Sequence, residues 1–131
     1  MNASSHRLAM ALAERIGEVL PAPLTIRAAG SGVSLIADGE LLGGSDAPSI
    51  LDDEDDGVFS ERVETAARAA LDGIQDCVMR YLTEEWPIDS QGTLALPDAR
   101  TEAGVLHIWY GTSEKTAAIR LRPIATSAIQ A

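Results

Sequence analysis

Two histidines, one cysteine and twenty carboxylates are the side chains from which this sequence could build a reaction centre. His6 falls in an N-terminal stretch expected to fray, and His107 sits in an alternating, strand-like run. Cys77 lies within the apolar arc of a long helical pattern, where a thiol behaves as a small buried hydrophobe rather than a nucleophile. One cysteine permits neither an intrachain disulfide nor a thiolate metal cluster. There is no Gly-Xaa-Ser-Xaa-Gly, no phosphate-cradling glycine loop and no histidine spacing of a metal site. These residues predict a protein that is not an enzyme, with no cofactor and no metal.

Two constellations could still bind something. The acidic run Asp52, Asp53, Glu54, Asp55, Asp56, closed by Gly57, supplies carboxylates at the first, third and fifth places of an EF-hand loop and glycine at the sixth. Its twelfth place is Val63, where a bidentate carboxylate must close the cation's shell, so the run reads instead as carboxylates upstream of a helix, favoured by its dipole. The second constellation is cationic. Parity along the strands puts His107 and Trp109 on one face, with Arg120 and Arg122 on the matching face of the next strand and Arg27 outward on an earlier one. Together they would form an anion-binding patch through bidentate guanidinium contacts, or a solvated face of cross-strand pairs.

These residues need elements to position them. A helix is expected from Ser4 or Ser5 to Leu20, ended by Pro21 and Pro23, with Leu8, Leu12, Ile16, Val19 and Leu20 as its apolar stripe. Residues 24–28, 33–37 and 40–42 read as a three-stranded meander, its second turn marked by Asp38-Gly39 and its end by Gly43-Gly44-Ser45. A long helix is expected from Ser60 to Trp86. Val63, Ala67, Leu71, Ile74, Val78, Tyr81 and Leu82 fill one broad stripe and should lie on the sheet. Beside it runs a row of small residues, Ala66, Ala70, Gly73 and Cys77, whose spacing admits the first helix or a partner's helix. Glu64–Arg68, Asp76–Arg80 and Arg80–Glu84 are spaced as helical charge pairs. Thr93–Leu96 reads as a short edge segment and residues 98–104 as polar loop. Val105–Tyr110 and Ala117–Arg122 should form a final hairpin.

The expected fold is therefore one α+β domain over residues 1–131, a two-layer sandwich with an antiparallel sheet of about five strands in the order α-β-β-β-α-β-β. At 131 residues the chain can bury a core unaided. The formal net charge of -10 disfavours nucleic acid and anionic membranes as partners and suits a basic protein partner. No stretch approaches the ~18 apolar residues of a membrane span. The run Leu8–Ala13 is too short and too closely followed by Glu14 and Arg15 for an export signal, so a cytoplasmic location is expected.

In element order, size and charge the chain resembles the small acidic chaperones of type III secretion systems. That resemblance implies a homodimer that binds a segment of another protein, and it covers most of the chain without a diagnostic motif. Binding of a protein segment on a sheet surface or helix groove is the leading expectation. A small-molecule or anion-binding domain using the Arg/His/Trp face is the alternative, and an acidic inhibitor or immunity protein is a third.

Overall fold

Where the apolar residues recur every three or four positions the chain is helical, and where they alternate it is extended. The computed structural model describes residues 3–52 and 57–130. Asp53, Glu54, Asp55 and Asp56 of the acidic run lie outside the described residues. The first helix, α1 (Ala3–Gly17), buries Leu8, Leu12 and Ile16 as its spacing requires. Ser4 and Ser5 do not precede it as caps: both are buried within it, and Ser5 Oγ donates to Asp52 Oδ1 at 2.6 Å. His6 is tied rather than frayed, its Nδ1 donating to the Gly30 carbonyl at 2.7 Å.

Strands β1 (Leu24–Ala29), β2 (Gly32–Ala37) and β3 (Glu40–Ser45) form the expected antiparallel meander. Asp38 and Gly39 both adopt positive φ, 52° and 81°, as a two-residue hairpin of this hand demands. β3 runs on through Gly43 and Gly44 to Ser45 instead of ending at Leu42. After a short 3-10 turn, Ala47–Asp52, the long helix α2 spans Phe59–Leu82. It closes earlier than Trp86 because Thr83 turns left-handed and its N–H returns to the Met79 carbonyl at 2.8 Å. Glu84 and Glu85 would also sit badly at the negative end of the helix dipole.

The protein is α+β, with helices packed on antiparallel sheets, but the strands do not join into one sheet of five. A second, four-stranded sheet forms from β4 (Pro97–Glu102), β5 (Val105–Tyr110), β6 (Ile119–Arg120) and β7 (Ile124–Ala125). β6 and β7 both pair with β5 on the side away from β4. Residues 98–102, expected as loop, are the edge strand of this sheet. Their turn, Ala103-Gly104, has positive φ at both positions. The Thr93–Leu96 stretch contributes one isolated bridge, Ile88 to Leu94.

The long helix separates the two sheets by presenting a different flank to each. Val63, Ala67, Leu71, Ile74 and Val78 are buried in the core, while Tyr81, expected among them, is 39% exposed. On one flank, Tyr110 Oη donates to the Leu71 carbonyl at 2.8 Å and Gln75 Nε2 to the Ala95 carbonyl at 2.7 Å. Trp86 meets the Tyr110 ring edge-on, centroids 5.5 Å apart. Burial pushes the Tyr110 hydroxyl's pKa far up, so it remains a neutral donor.

On the other flank the small row faces a strand. A Cβ on Gly73 would lie 3.0 Å from Ser45 Cβ, and one on Gly43 would lie 2.8 Å from Cys77 Sγ. Ala66 and Ala70 are fully buried. Among the described residues no helix is long and apolar enough to cross a membrane.

A Cβ on Gly44 would collide with the Val33 carbonyl oxygen, which is backbone and has little room to retreat. Gly44→Ala is expected to destabilise the fold by about 1–3 kcal/mol. The control, Gly17→Ala, meets only an ordinary 3.5 Å contact with Ile26 and should be neutral or stabilising. Denaturant melts of the two variants check the difference.

Candidate functional site

A strand at the margin of a sheet leaves every second N–H and C=O without a ladder partner, and such groups recruit either water or side chains. At β4 they recruit α2. Glu64 Oε2 accepts from the Thr101 N–H at 2.5 Å and from the Thr101 hydroxyl at 2.8 Å. Arg68 Nη2 donates to the Ala99 carbonyl at 3.1 Å, while its Nε pairs with Asp98 Oδ1 at 3.0 Å. Asp98 Oδ1 also accepts from the Ala99 N–H at 2.8 Å. Glu64 and Arg68 are thus recruited to the strand edge, each bonded to β4 at the distances above.

The outward face of the second sheet lies next to this seam. Strand register sets Trp109 between Asp98 and Arg120, and His107 opposite Arg100. His107 Nδ1 donates to Glu114 Oε2 at 2.8 Å, which draws the loop after β5 over the sheet. Trp109 is therefore only 6% exposed although its parity is outward, and its indole N–H donates to the Gly111 carbonyl at 3.1 Å. The loop can start sharply because Gly111 has φ 146°, and a Cβ there would lie 2.8 Å from Ala117 Cα.

Between loop and strand opens a polar cleft of about 500 Å³. Glu64, Asp98, Glu102 and Glu114 line it against only two guanidiniums, Arg68 and Arg100. On the other side of Arg68 lies a mainly apolar groove of about 380 Å³, formed by Thr65, Ala69, Leu96 and Pro97 with Asp72 at its wall. Leu96 is 62% exposed there.

The cationic constellation does not assemble. Arg27 is on β1, in the other sheet, while His107, Trp109 and Arg120 are on the second. Arg122 is consumed by α1: its guanidinium donates to Glu14 Oε1 at 2.5 Å and to Glu18 Oε2 at 2.8 Å. Of the five residues, Trp109 and Arg120 are direct neighbours and His107 follows along the same face. Asp98 and Glu102 escape the sequence reading because residues 98–102 look like polar loop, and Arg68, expected to pair with Glu64 along the helix, instead bonds to Asp98 and Ala99. The signal for the strand is the alternation of Asp98, Arg100 and Glu102 with Ala99 and Thr101 ahead of an Ala-Gly turn.

The small row Ala66, Ala70, Gly73 and Cys77 is internal, filled by β3 at Gly73 and Cys77, and does not present a free helix interface. Arg80 Nη2 donates to Cys77 Sγ at 3.3 Å. Among the described residues no three His, Cys, Asp or Glu side chains converge as metal ligands. Comparisons with family models, with curated proteins and with solved structures return no match.

The Arg122 cluster has a definite pH signature. The hydrogen bond from Arg122 holds the Glu18 carboxyl below its ordinary 4.5, against a smaller opposing effect of burial and with help from the charges of Arg122 and Arg15. A carboxyl lowered in the folded state stabilises above its unfolded value and loses that contribution as pH falls through the folded one. Arg122→Gln should lower the melting temperature at neutral pH, and the gap from the parent should close well below pH 4.5. Thermal melts across that range measure it.

Proposed function

We propose that this protein is a non-enzymatic, chaperone-like interaction module that binds a segment of another protein along the surface where α2 meets β4. The observation that carries this reading is continuity. The apolar groove at Leu96 and Pro97 and the polar cleft at Arg100 and Glu102 share Arg68 as their common wall. Such a surface suits an apolar anchor residue followed by polar contacts, which is how short segments gain affinity and register together.

Charge indicates the partner's character. Four carboxylates against two guanidiniums in the cleft, on a chain of net charge -10, favour basic residues flanking the anchor. An anionic ligand is less suited, because Arg122 is neutralised by Glu14 and Glu18 and Arg27 belongs to the other sheet. A cytoplasmic setting fits a single cysteine kept as a buried thiol.

Synthetic peptides with one Leu or Phe flanked by Lys or Arg, compared with the same peptides flanked by Glu, provide the test by fluorescence anisotropy. The basic set should bind more tightly and weaken as salt rises. Leu96→Arg, at an exposed position, should reduce binding at least about tenfold, the ~1.4 kcal/mol that loss of a modest anchor contributes. Equal binding of both sets, or indifference to Leu96→Arg, would sink the proposal. A strong thermal shift with phosphate or a sugar would favour the small-molecule reading instead.

A further inference from the structure

Two separate sheets leave four long margins, and three are managed. Glu64 and Arg68 hold the outward Thr101 N–H and Ala99 carbonyl of β4. On the β6/β7 side, Arg15 donates to the carbonyls of Arg122 and Pro123 at 3.2 Å each, and Arg7 to that of Gln130 at 2.9 Å. β3 is irregular: its register against β2 shifts between Leu35 and Ile36, it carries Gly43 and Gly44, and α2 backs it at Ser45. Bulges of this kind discourage further pairing.

β1 has none of these protections. It pairs with β2 in unbroken register over all six residues, from Leu24↔Ala37 to Ala29↔Gly32. Ala29 and Gly32 flank a two-residue turn, so they exchange both hydrogen bonds, and by alternation so do Arg27 and Thr25 with their partners. The N–H and C=O of Ile26 and Ala28 point the other way and have no partner among the described residues; the Leu24 N–H turns back to the Pro21 carbonyl at 3.0 Å. Neither a bulge nor a proline interrupts residues 24–29, and the sole charge, Arg27, is on the outer face.

We infer that β1 pairs antiparallel with β1 of a second copy of this chain, about a twofold axis at Ile26. The register selects itself. Centred on Ile26, the strands oppose Leu24 to Ala28 and Thr25 to Arg27, so apolar meets apolar on the inner face and the guanidinium meets a hydroxyl on the outer. Centred one residue later, the two Arg27 side chains stand opposite each other, a repulsive pair at the closest cross-strand spacing. Centred one residue earlier, the partner strand runs into the turn at residues 21–24, which is closed by the Leu24–Pro21 hydrogen bond.

The twofold contact is self-complementary, as isologous interfaces must be, and joins two three-stranded meanders into one continuous sheet. It lies on the other sheet from the α2–β4 surface and does not depend on that reading. Two protomers of charge -10 repel, so salt should strengthen this dimer by screening.

Sedimentation equilibrium on the full chain tests the inference. The expected result is twice the protomer mass at high concentration, with the dimer fraction rising as sodium chloride is added. Ala28→Pro removes an outward N–H that the β1–β2 ladder does not use, so it should give single-protomer mass with an unchanged circular dichroism spectrum. Cysteine pairing fixes the register even where the proline variant fails to fold: Ile26→Cys should form a covalent dimer on mild oxidation, whereas Arg27→Cys should not. A single-protomer mass at every concentration overturns the inference. So does a dimer that survives Ala28→Pro in folded form, or one that crosslinks through Arg27→Cys and not Ile26→Cys.

Discussion

The structure depends on how closely α2 can approach β3. Gly73 on the helix and Gly43 on the strand remove the side chains that would hold the two backbones apart. With that flank seated, the large residues Val63, Leu71, Ile74 and Val78 point into the core, and the opposite flank is left to face the second sheet. Helix rotation is thereby set from one side. Glu64, Arg68, Leu71 and Gln75 then meet β4, β5 and the Ala95 carbonyl because they are a half-turn around the helix from the glycine contact.

The same geometry explains why there are two sheets. A single sheet of five or more strands would need β4 to hydrogen-bond along β3. Instead, a carboxylate and a guanidinium projecting from α2 bond the outward Thr101 N–H and Ala99 carbonyl of β4 without a neighbouring strand. Buried or half-buried backbone groups must find partners somewhere. Here side chains of a helix serve where a strand would ordinarily be.

Much of this was legible in the residue pattern. The first meander follows from apolar parity and from Asp38-Gly39, whose conformation few other pairs adopt easily. The core face of α2 follows from its spacing. Other features depend on contacts between residues far apart in sequence. β4 is hard to read because its inward positions are Ala99 and Thr101, too small to mark a buried face, and because its turn places Ala103 at positive φ. The row Ala66, Ala70, Gly73, Cys77 does signal close approach, but not what approaches; Gly43-Gly44 reads as a stop rather than as the complementary surface. Trp109 has the outward parity its position implies, yet the loop held by His107 and Glu114 covers it, a contact that parity cannot anticipate.

The grip of α1 on residues 122–130 has a kinetic meaning. Arg7 and Arg15 hold carbonyls more than a hundred positions away, and Arg122 reaches back to Glu14 and Glu18. Closing so long a loop is entropically costly before it yields any contact. The two meanders and α2 can form from local contacts, whereas α1 cannot finish docking until the segment around Arg122 has been made and has paired with β5. Folding should therefore conclude with the first helix, and the two ends of the described chain should gain or lose their structure together.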